Sequence, residues 1–235
     1  MNRLRLALSA VAAASLLAAA GCASSSSPQP TAAGTDHPAT VNGVSCTWGP
    51  PGNPSAPKTG TPAATVPNSG AATMTIVTNR GSIVIKVDRG QTPCTVASFA
   101  YLAGKHFFDK TPCHRLTTNG IYVLQCGDPT GTGTGGPAYT IPDEGLPPDT
   151  SAPKTYPRGS VAMANTGQPN SGGSQFFLVY KDSPLTAAYT QFGTITSGLD
   201  LLDKIAAAGD TGSNGPGDGA PKESVQILSM TVTAG

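Results

Sequence analysis

The chain has 235 residues, of which 38% are hydrophobic and only 11% charged, and its formal net charge is +1. A near-neutral chain without a basic stripe lacks the electrostatic footprint of a nucleic-acid binder, so that class is set aside. The length allows one or two domains; Pro is densest before Thr73, while most of the 29 Gly fall in later loops.

At the N-terminus, Arg3 and Arg5 precede an apolar run from Leu6 to Ala20, followed by Gly21 and Cys22. A charged start, a short apolar stretch and small residues at the cut make a secretory signal peptide over residues 1–21. The run is too short and too rich in Ala and Ser for a membrane span of about 20 residues. Leu17 to Cys22 resembles a bacterial lipobox, in which the cysteine becomes the lipidated first residue; Ala19 departs from the usual leucine. The expectation is an extracytoplasmic lipoprotein anchored to the cell membrane through Cys22. Losing the leader would remove Arg3 and Arg5 and bring the charge from +1 to −1.

Beyond Cys22 stand Cys46, Cys94, Cys113 and Cys126. An even set in an exported chain reads as two disulfides, for which three connectivities exist. No C-x-x-C or Cys/His cluster occurs and the three His are scattered, so no metal is expected.

Residues 22–72 are rich in Ser, Pro, Ala, Thr and Gly, too poor in large apolar groups to offset ordering entropy, and read as a tether. One feature interrupts it. Val44 to Trp48 carries a cysteine and the single Trp, and is expected to dock onto the folded domain, residues 73–235. That domain opens with two β-rich runs, Thr73–Thr78 and Ser82–Asp88, around Asn79-Arg80-Gly81, a hairpin. Thr92 suits an N-cap with Pro93 at the first helical position, apolar residues follow at Val96, Phe99, Ala100 and Ala103, and Gly104 suits the position after the end. A second helix is predicted from Leu199 to Ala208, closed by Gly209. Short strand candidates lie at Cys113–Thr117, Ile121–Cys126, Ser160–Ala164, Gln175–Tyr180, Thr190–Ile195 and Ser224–Val232. Many short strands with Gly-rich turns argue for a mainly β, closed architecture with two helices at its openings.

Two familiar chemistries fail on their own requirements. The Gly-rich run Gly127–Gly136 lacks the Lys-Ser/Thr ending and following helix of a phosphate loop; Pro137 and Ala138 follow instead. Ser174 is not in a G-x-S-x-G elbow, and His114 alternates with Arg115 on a strand, which makes His114 structural.

Five segments in order carry a stronger signal: Cys113-His114-Arg115-Leu116, Gln125-Cys126-Gly127-Asp128-Pro129, Gly135-Gly136-Pro137, Val161-Ala162-Met163-Ala164-Asn165 and Gly173-Ser174-Gln175-Phe176-Phe177, with Phe192-Gly193 after them. This series is similar to the cyclophilins, whose motifs F-H-R, Q-G-G-D, M-A-N and G-S-Q-F-F run in the same order, and it looks closest to exported lipoprotein cyclophilins of actinobacteria. The resemblance spans Thr73 to Val232 and implies a closed eight-stranded antiparallel barrel capped by two helices. It implies a peptidyl-prolyl cis–trans isomerase without a cofactor. Arg115 falls on the catalytic arginine, Gln125 on the groove glutamine, Ala164 and Asn165 on the backbone-binding pair, and Phe177 on the pocket phenylalanine with Gln175 beside it. Counting back from Gln125, across two extra residues after Arg115, puts Tyr122 and Val123 on the pocket Phe and Met. Leu185 matches the pocket leucine and Tyr189 the usual histidine. Pro184 replaces the tryptophan of cyclosporin-sensitive members, which argues against tight cyclosporin binding.

Such an enzyme needs no nucleophile, because it only favours the twisted amide over the planar one. Cys113 and Cys126 end facing strands on either side of Thr118-Asn119-Gly120, which favours Cys113–Cys126 and leaves Cys46–Cys94. The implied partners are proline-containing segments of exported proteins, met by a monomer. The alternative is a peptide-binding holdase of low activity that uses the same groove.

Overall fold

The computed structural model describes residues 43–234. The signal peptide expected over 1–21, the lipidation expected at Cys22 and the tether up to residue 42 lie outside the described residues.

The chain first makes a short antiparallel ribbon, β1 (Gly43–Ser45) on β2 (Thr65–Pro67). The predicted hairpin follows as β3 (Ala72–Thr78) and β4 (Gly81–Val87), with Thr78 opposite Gly81 across a two-residue turn. Met74 and Ile76 on β3, and Ile83, Ile85 and Val87 on β4, point to one face at period two and are buried.

Helix α1 (Pro93–Gly104) begins at Pro93, whose missing N–H costs nothing there. Thr92 occupies the cap position, but its hydroxyl donates back to the Asp88 carbonyl at 2.7 Å instead of accepting from the helix. The free N–H groups of Cys94 and Thr95 donate instead to the Glu144 carboxylate at 2.9 and 2.8 Å. A carboxylate at that end also meets the positive pole of the helix dipole. Gly104 is the last helical residue, so the helix runs one position further than expected.

After α1 come β5 (Thr111–Pro112), β6 (Arg115–Thr117), β7 (Val123–Cys126), β8 (Pro153–Tyr156), β9 (Ser160–Met163), β10 (Phe176–Val179), β11 (Ser183–Thr186) and β12 (Gln191–Ser197). Helix α2 (Leu199–Ala208) has the predicted bounds and buries Leu202 and Ile205; β13 (Asp218–Gly219) and β14 (Gln226–Ala234) close the chain. Ten strands form one sheet in the order β13-β6-β7-β10-β9-β12-β4-β3-β14-β5, while β8 and β11 make a separate antiparallel ribbon.

The sheet must curl. Laid flat, β6 and β5 would stand roughly 40 Å apart at strand spacing, yet the link from Pro112 to Arg115 spans at most roughly 10 Å. No ladder joins its two ends among the described residues, so the expected closed eight-stranded barrel gives way to a curled ten-stranded sheet. Cys113 donates its N–H to the Val225 carbonyl at 2.9 Å, which carries the β5–β14 pairing one residue further towards β6.

Inside the curl, Phe99 of α1 sits among Phe108, Phe176 and Phe192, with ring centroids 5.7, 5.5 and 4.7 Å away. Fully buried rings of this size supply much of the apolar area that holds helix to sheet. Two disulfides add to it, Cys46–Cys94 and Cys113–Cys126. The first fixes the N-terminal segment to α1. Trp48 then packs edge-on against Tyr139 at 5.5 Å, and Gly49 and Thr140 exchange backbone hydrogen bonds of 3.0 and 3.2 Å.

Candidate active site

The two faces of the sheet serve different ends. Along β10, Phe176 and Leu178 point into the main core, while Phe177 and Val179 join a second apolar cluster with Val123, Tyr156 and Ala162. Strand alternation alone dictates this division. The second cluster floors a cavity of about 140 Å³ lined by Arg115, Ile121, Val123, Gln125, Ala164, Asn165, Phe177, Leu185 and Tyr189.

Register explains how residues far apart in sequence meet. Arg115 on β6 pairs with Gln125 on β7, Gln125 pairs with Phe177 on β10, and Phe177 pairs with Ala162 on β9. Directly opposed residues project to the same face, so the four form a row across the sheet. The β8–β11 ribbon brings Leu185 to the rim, and Tyr189 follows it, its ring 5.5 Å from Phe177 in an edge-to-face contact. Tyr156 anchors this wall: its hydroxyl donates to the Tyr189 carbonyl at 2.8 Å and accepts the Tyr189 N–H at 3.1 Å.

Arg115 is held by a carboxylate that does not line the cavity. Its Nε and Nη2 donate to the two carboxylate oxygens of Asp218 at 2.8 and 2.6 Å, a bidentate pair. Hydrogen bonding to Asp218 raises the Arg115 pKa, and the same bonds hold the Asp218 carboxyl below the ordinary carboxylate range. The permanent cation is therefore secure, and Nη1 turns to the Gln125 Oε1 at 3.4 Å. The relay continues as Gln125 Nε2 donates to Gln175 Oε1 at 2.8 Å, and Gln175 Nε2 to the carbonyls of Gly133 and Gly135 at 2.9 and 3.0 Å.

The Gly-rich loop is shaped by a buried carboxylate. Asp128 accepts N–H bonds from Thr130, Gly133 and Gly135 at 2.7, 2.6 and 3.1 Å, and a hydroxyl bond from Thr130. Burial pushes its pKa up, but those donors outweigh it and leave the group below its ordinary value. Beside this loop lies a second cavity, also of about 140 Å³, which shares Gln125, Ala164 and Asn165 with the first. Gln175 lines the second cavity and not the first.

Of the residues expected around a bound proline, Arg115, Val123, Gln125, Ala164, Asn165, Phe177, Leu185 and Tyr189 come together in the first cavity. Tyr122 does not. It lies between Val123 and Ile121 on alternating positions, so it faces the other way, its ring 6.0 Å from Tyr180 and 4.3 Å beneath the Lys181 ammonium. Ile121 takes the place expected of Tyr122, and strand parity with Val123 and Gln125 is the signal that points to it. Tyr156 and Asp218 were also missed, because each reaches the site from a distant element with no local pattern to mark it. His114, on the opposite face from Arg115, is half-buried, and neither ring nitrogen has a hydrogen-bond partner among the described residues.

Comparison with known proteins gives the family. The family model for cyclophilin type peptidyl-prolyl cis-trans isomerases matches residues 73–232. A probable peptidyl-prolyl cis-trans isomerase B of Mycobacterium leprae is 46% identical over 205 residues, covering 83% of this chain and 68% of that protein. Its namesake in Mycobacterium tuberculosis is 49% identical over 166 residues, covering 67% of this chain but only 53% of that protein. The chain thus spans between about half and two thirds of the length of these relatives. Among solved structures, a Cryptosporidium parvum cyclophilin type isomerase superposes with a TM-score of 0.59 at 27% identity, covering 70% of this chain and 99% of that one. The chain belongs to the cyclophilin-type peptidyl-prolyl cis–trans isomerases.

Proposed function

We propose that this chain accelerates rotation about X–Pro bonds in exported or cell-surface proteins, acting outside the cytoplasm as a monomer on a lipid anchor at Cys22. One observation carries the catalytic half of the reading: Arg115 lines a cavity that sets apolar Val123, Phe177 and Leu185 beside the amides of Gln125 and Asn165. The leader with Arg3 and Arg5 and the lipobox-like run ending at Cys22 support the location.

Amide resonance sets the uncatalysed barrier at ~18–20 kcal/mol. Twisting the bond removes that resonance and leaves a lone pair on the prolyl nitrogen. An N–H donated by Arg115 to that nitrogen stabilises the twisted state more than the planar one. A charge-assisted bond is worth roughly 1.5–3 kcal/mol, or about one to two powers of ten in rate. The remainder comes from seating the ring against Phe177, Val123 and Leu185, where little water competes for the carbonyl. Gln125 and Asn165 hold the peptide backbone on one side while the other side turns.

The test is the rate of cis-to-trans conversion of an X–Pro peptide with the purified, disulfide-intact chain. Acceleration over the uncatalysed rate is expected. Peptide binding without acceleration would turn the protein into the holdase alternative. For the anchor, metabolic lipid labelling should occur and be abolished by Cys22→Ala; an unlabelled wild-type chain would contradict it.

A further inference from the structure

The second cavity has a wall that the family match does not contain. Gly52 and Asn53 line it, and both precede Thr73, where that match begins. Their placement is built. The Cys46–Cys94 disulfide pins the segment at one end, the paired backbone bonds of Gly49 and Thr140 set its height, and Trp48 wedges it against Tyr139. Asn53 then starts a tight turn, its Oδ1 accepting the Ser55 N–H at 2.9 Å and its carbonyl accepting the Ala56 N–H at 3.0 Å. Tyr139 and Thr140, the two residues that hold the segment, line the same cavity.

The cavity also has a definite chemistry. Amides, hydroxyls and glycine backbone line it, from Asn53, Gln125, Asn165, Gln175 and the Gly133–Gly136 loop, and no charged side chain lines it among the described residues. A charged group entering it would lose water without gaining a counter-ion, whereas a short uncharged polar side chain finds donors and acceptors. Because the two cavities share Gln125, Ala164 and Asn165, a peptide whose proline fills the first presents a flanking residue to the second.

We infer that the disulfide-pinned segment before the isomerase domain is part of the substrate site, and that Asn53 selects for an uncharged polar residue flanking the proline. This rests on the isomerase reading above, and it adds a specificity-determining residue contributed from outside the family's span.

Asn53→Asp tests it in the full chain, because the carboxylate keeps an acceptor for the Ser55 N–H while exchanging the Nδ2 donor for a charged oxygen. Four peptides serve as probes: a blocked Ala-Pro peptide too short to reach the second cavity, and three longer peptides identical except for Ser, Lys or Glu at one flanking position. In the variant, kcat/KM for the Lys peptide should rise about threefold relative to the Ser peptide, as for a partly exposed ion pair, and that for the Glu peptide should fall by a similar factor. The short peptide reports any change in the first cavity alone, and the three ratios are read against it. Unchanged ratios, or a parallel shift in all four peptides, would overturn the inference. If the wild-type chain fails to turn over the short peptide, the isomerase reading falls, and the ratios of peptide dissociation constants then decide on Asn53 by the same criterion.

Discussion

Arg115 and Asp218 meet in a two-point salt bridge, Nε and Nη2 on one carboxylate, although 103 residues separate them. β13 pairs with β6 so that Asp218 stands opposite Thr117, on the face that Arg115 shares by strand alternation. Asn214 steadies the carboxylate from its own loop with an Nδ2 bond of 3.1 Å. The guanidinium is thereby fixed in a plane, with Nε and Nη2 on Asp218 and Nη1 turned to Gln125 beside the cavity.

Asp218 does not line the cavity, so its loss should leave peptide binding intact while loosening the arginine. Asp218→Ala is expected to lower kcat about tenfold with KM unchanged, the equivalent of roughly 1.4 kcal/mol of transition-state stabilisation. Asp218→Asn, which keeps one acceptor, should fall between. A KM effect alone, measured by steady-state kinetics, would place Asp218 in substrate binding instead. Because bonding to Arg115 lowers the Asp218 pKa, the pair's contribution is present above the ordinary carboxylate value and is lost only as pH falls through the lowered one. Activity should therefore show no acid limb near pH 4 from this pair.

Glu144 replaces a local cap for α1. Three bonds converge on its carboxylate, the third from the Thr95 hydroxyl at 2.7 Å. Glu144→Ala leaves part-buried helix N–H groups without partners and should destabilise the fold by about 1–3 kcal/mol, a drop in Tm of several degrees. Calorimetry checks this; an unchanged Tm would mean that water replaces the carboxylate without loss.

His114 carries a pH signature. Burial lowers its pKa, Asp128 partly opposes this, and the nearby Arg115 charge adds to it. The unfolded chain binds a proton near pH 6.5 and the folded chain only at lower pH, so stability should decline as pH drops below about 6.5. His114→Leu should flatten that decline in thermal melts between about pH 7 and pH 5, while an unchanged slope would assign it to other groups.

The two disulfides should differ in weight. Cys46–Cys94 spans 48 residues and Cys113–Cys126 spans 13. Loop-closure entropy then gives about 4 kcal/mol for the first and about 3 kcal/mol for the second. Replacing Cys46 and Cys94 by Ser should lower Tm by roughly ten degrees, more than the same change at Cys113 and Cys126. The reverse ranking would contradict the chain-entropy account.

The elements legible in the sequence are those with local causes. The β3–β4 hairpin follows from two β-branched runs around Asn79-Arg80-Gly81, and α2 from its apolar spacing and closing Gly209. The row of Arg115, Gln125 and Phe177 was legible through motif order. What escaped depends on three-dimensional return. β13 is two residues long and has no pattern of its own, yet it delivers Asp218. β8 and β11 lack apolar alternation because they form a separate ribbon, so Tyr156 went unseen. Tyr122 was misplaced because counting across two extra residues overrode the period of two that Val123 and Gln125 already implied. The barrel's closure was read from strand number, whereas the link between β5 and β6 brings the sheet's ends together without a ladder.

The most direct measurement compares X–Pro isomerisation by the wild-type chain with that by Arg115→Ala and Arg115→Lys, with peptide affinity measured in parallel. The account predicts at least a tenfold fall in kcat/KM for the alanine variant, incomplete rescue by lysine, which lacks the planar fork that Asp218 orients, and peptide affinity within about twofold of wild type. Wild-type turnover in Arg115→Ala would contradict it and leave the apolar cavity, without the guanidinium, as the source of catalysis.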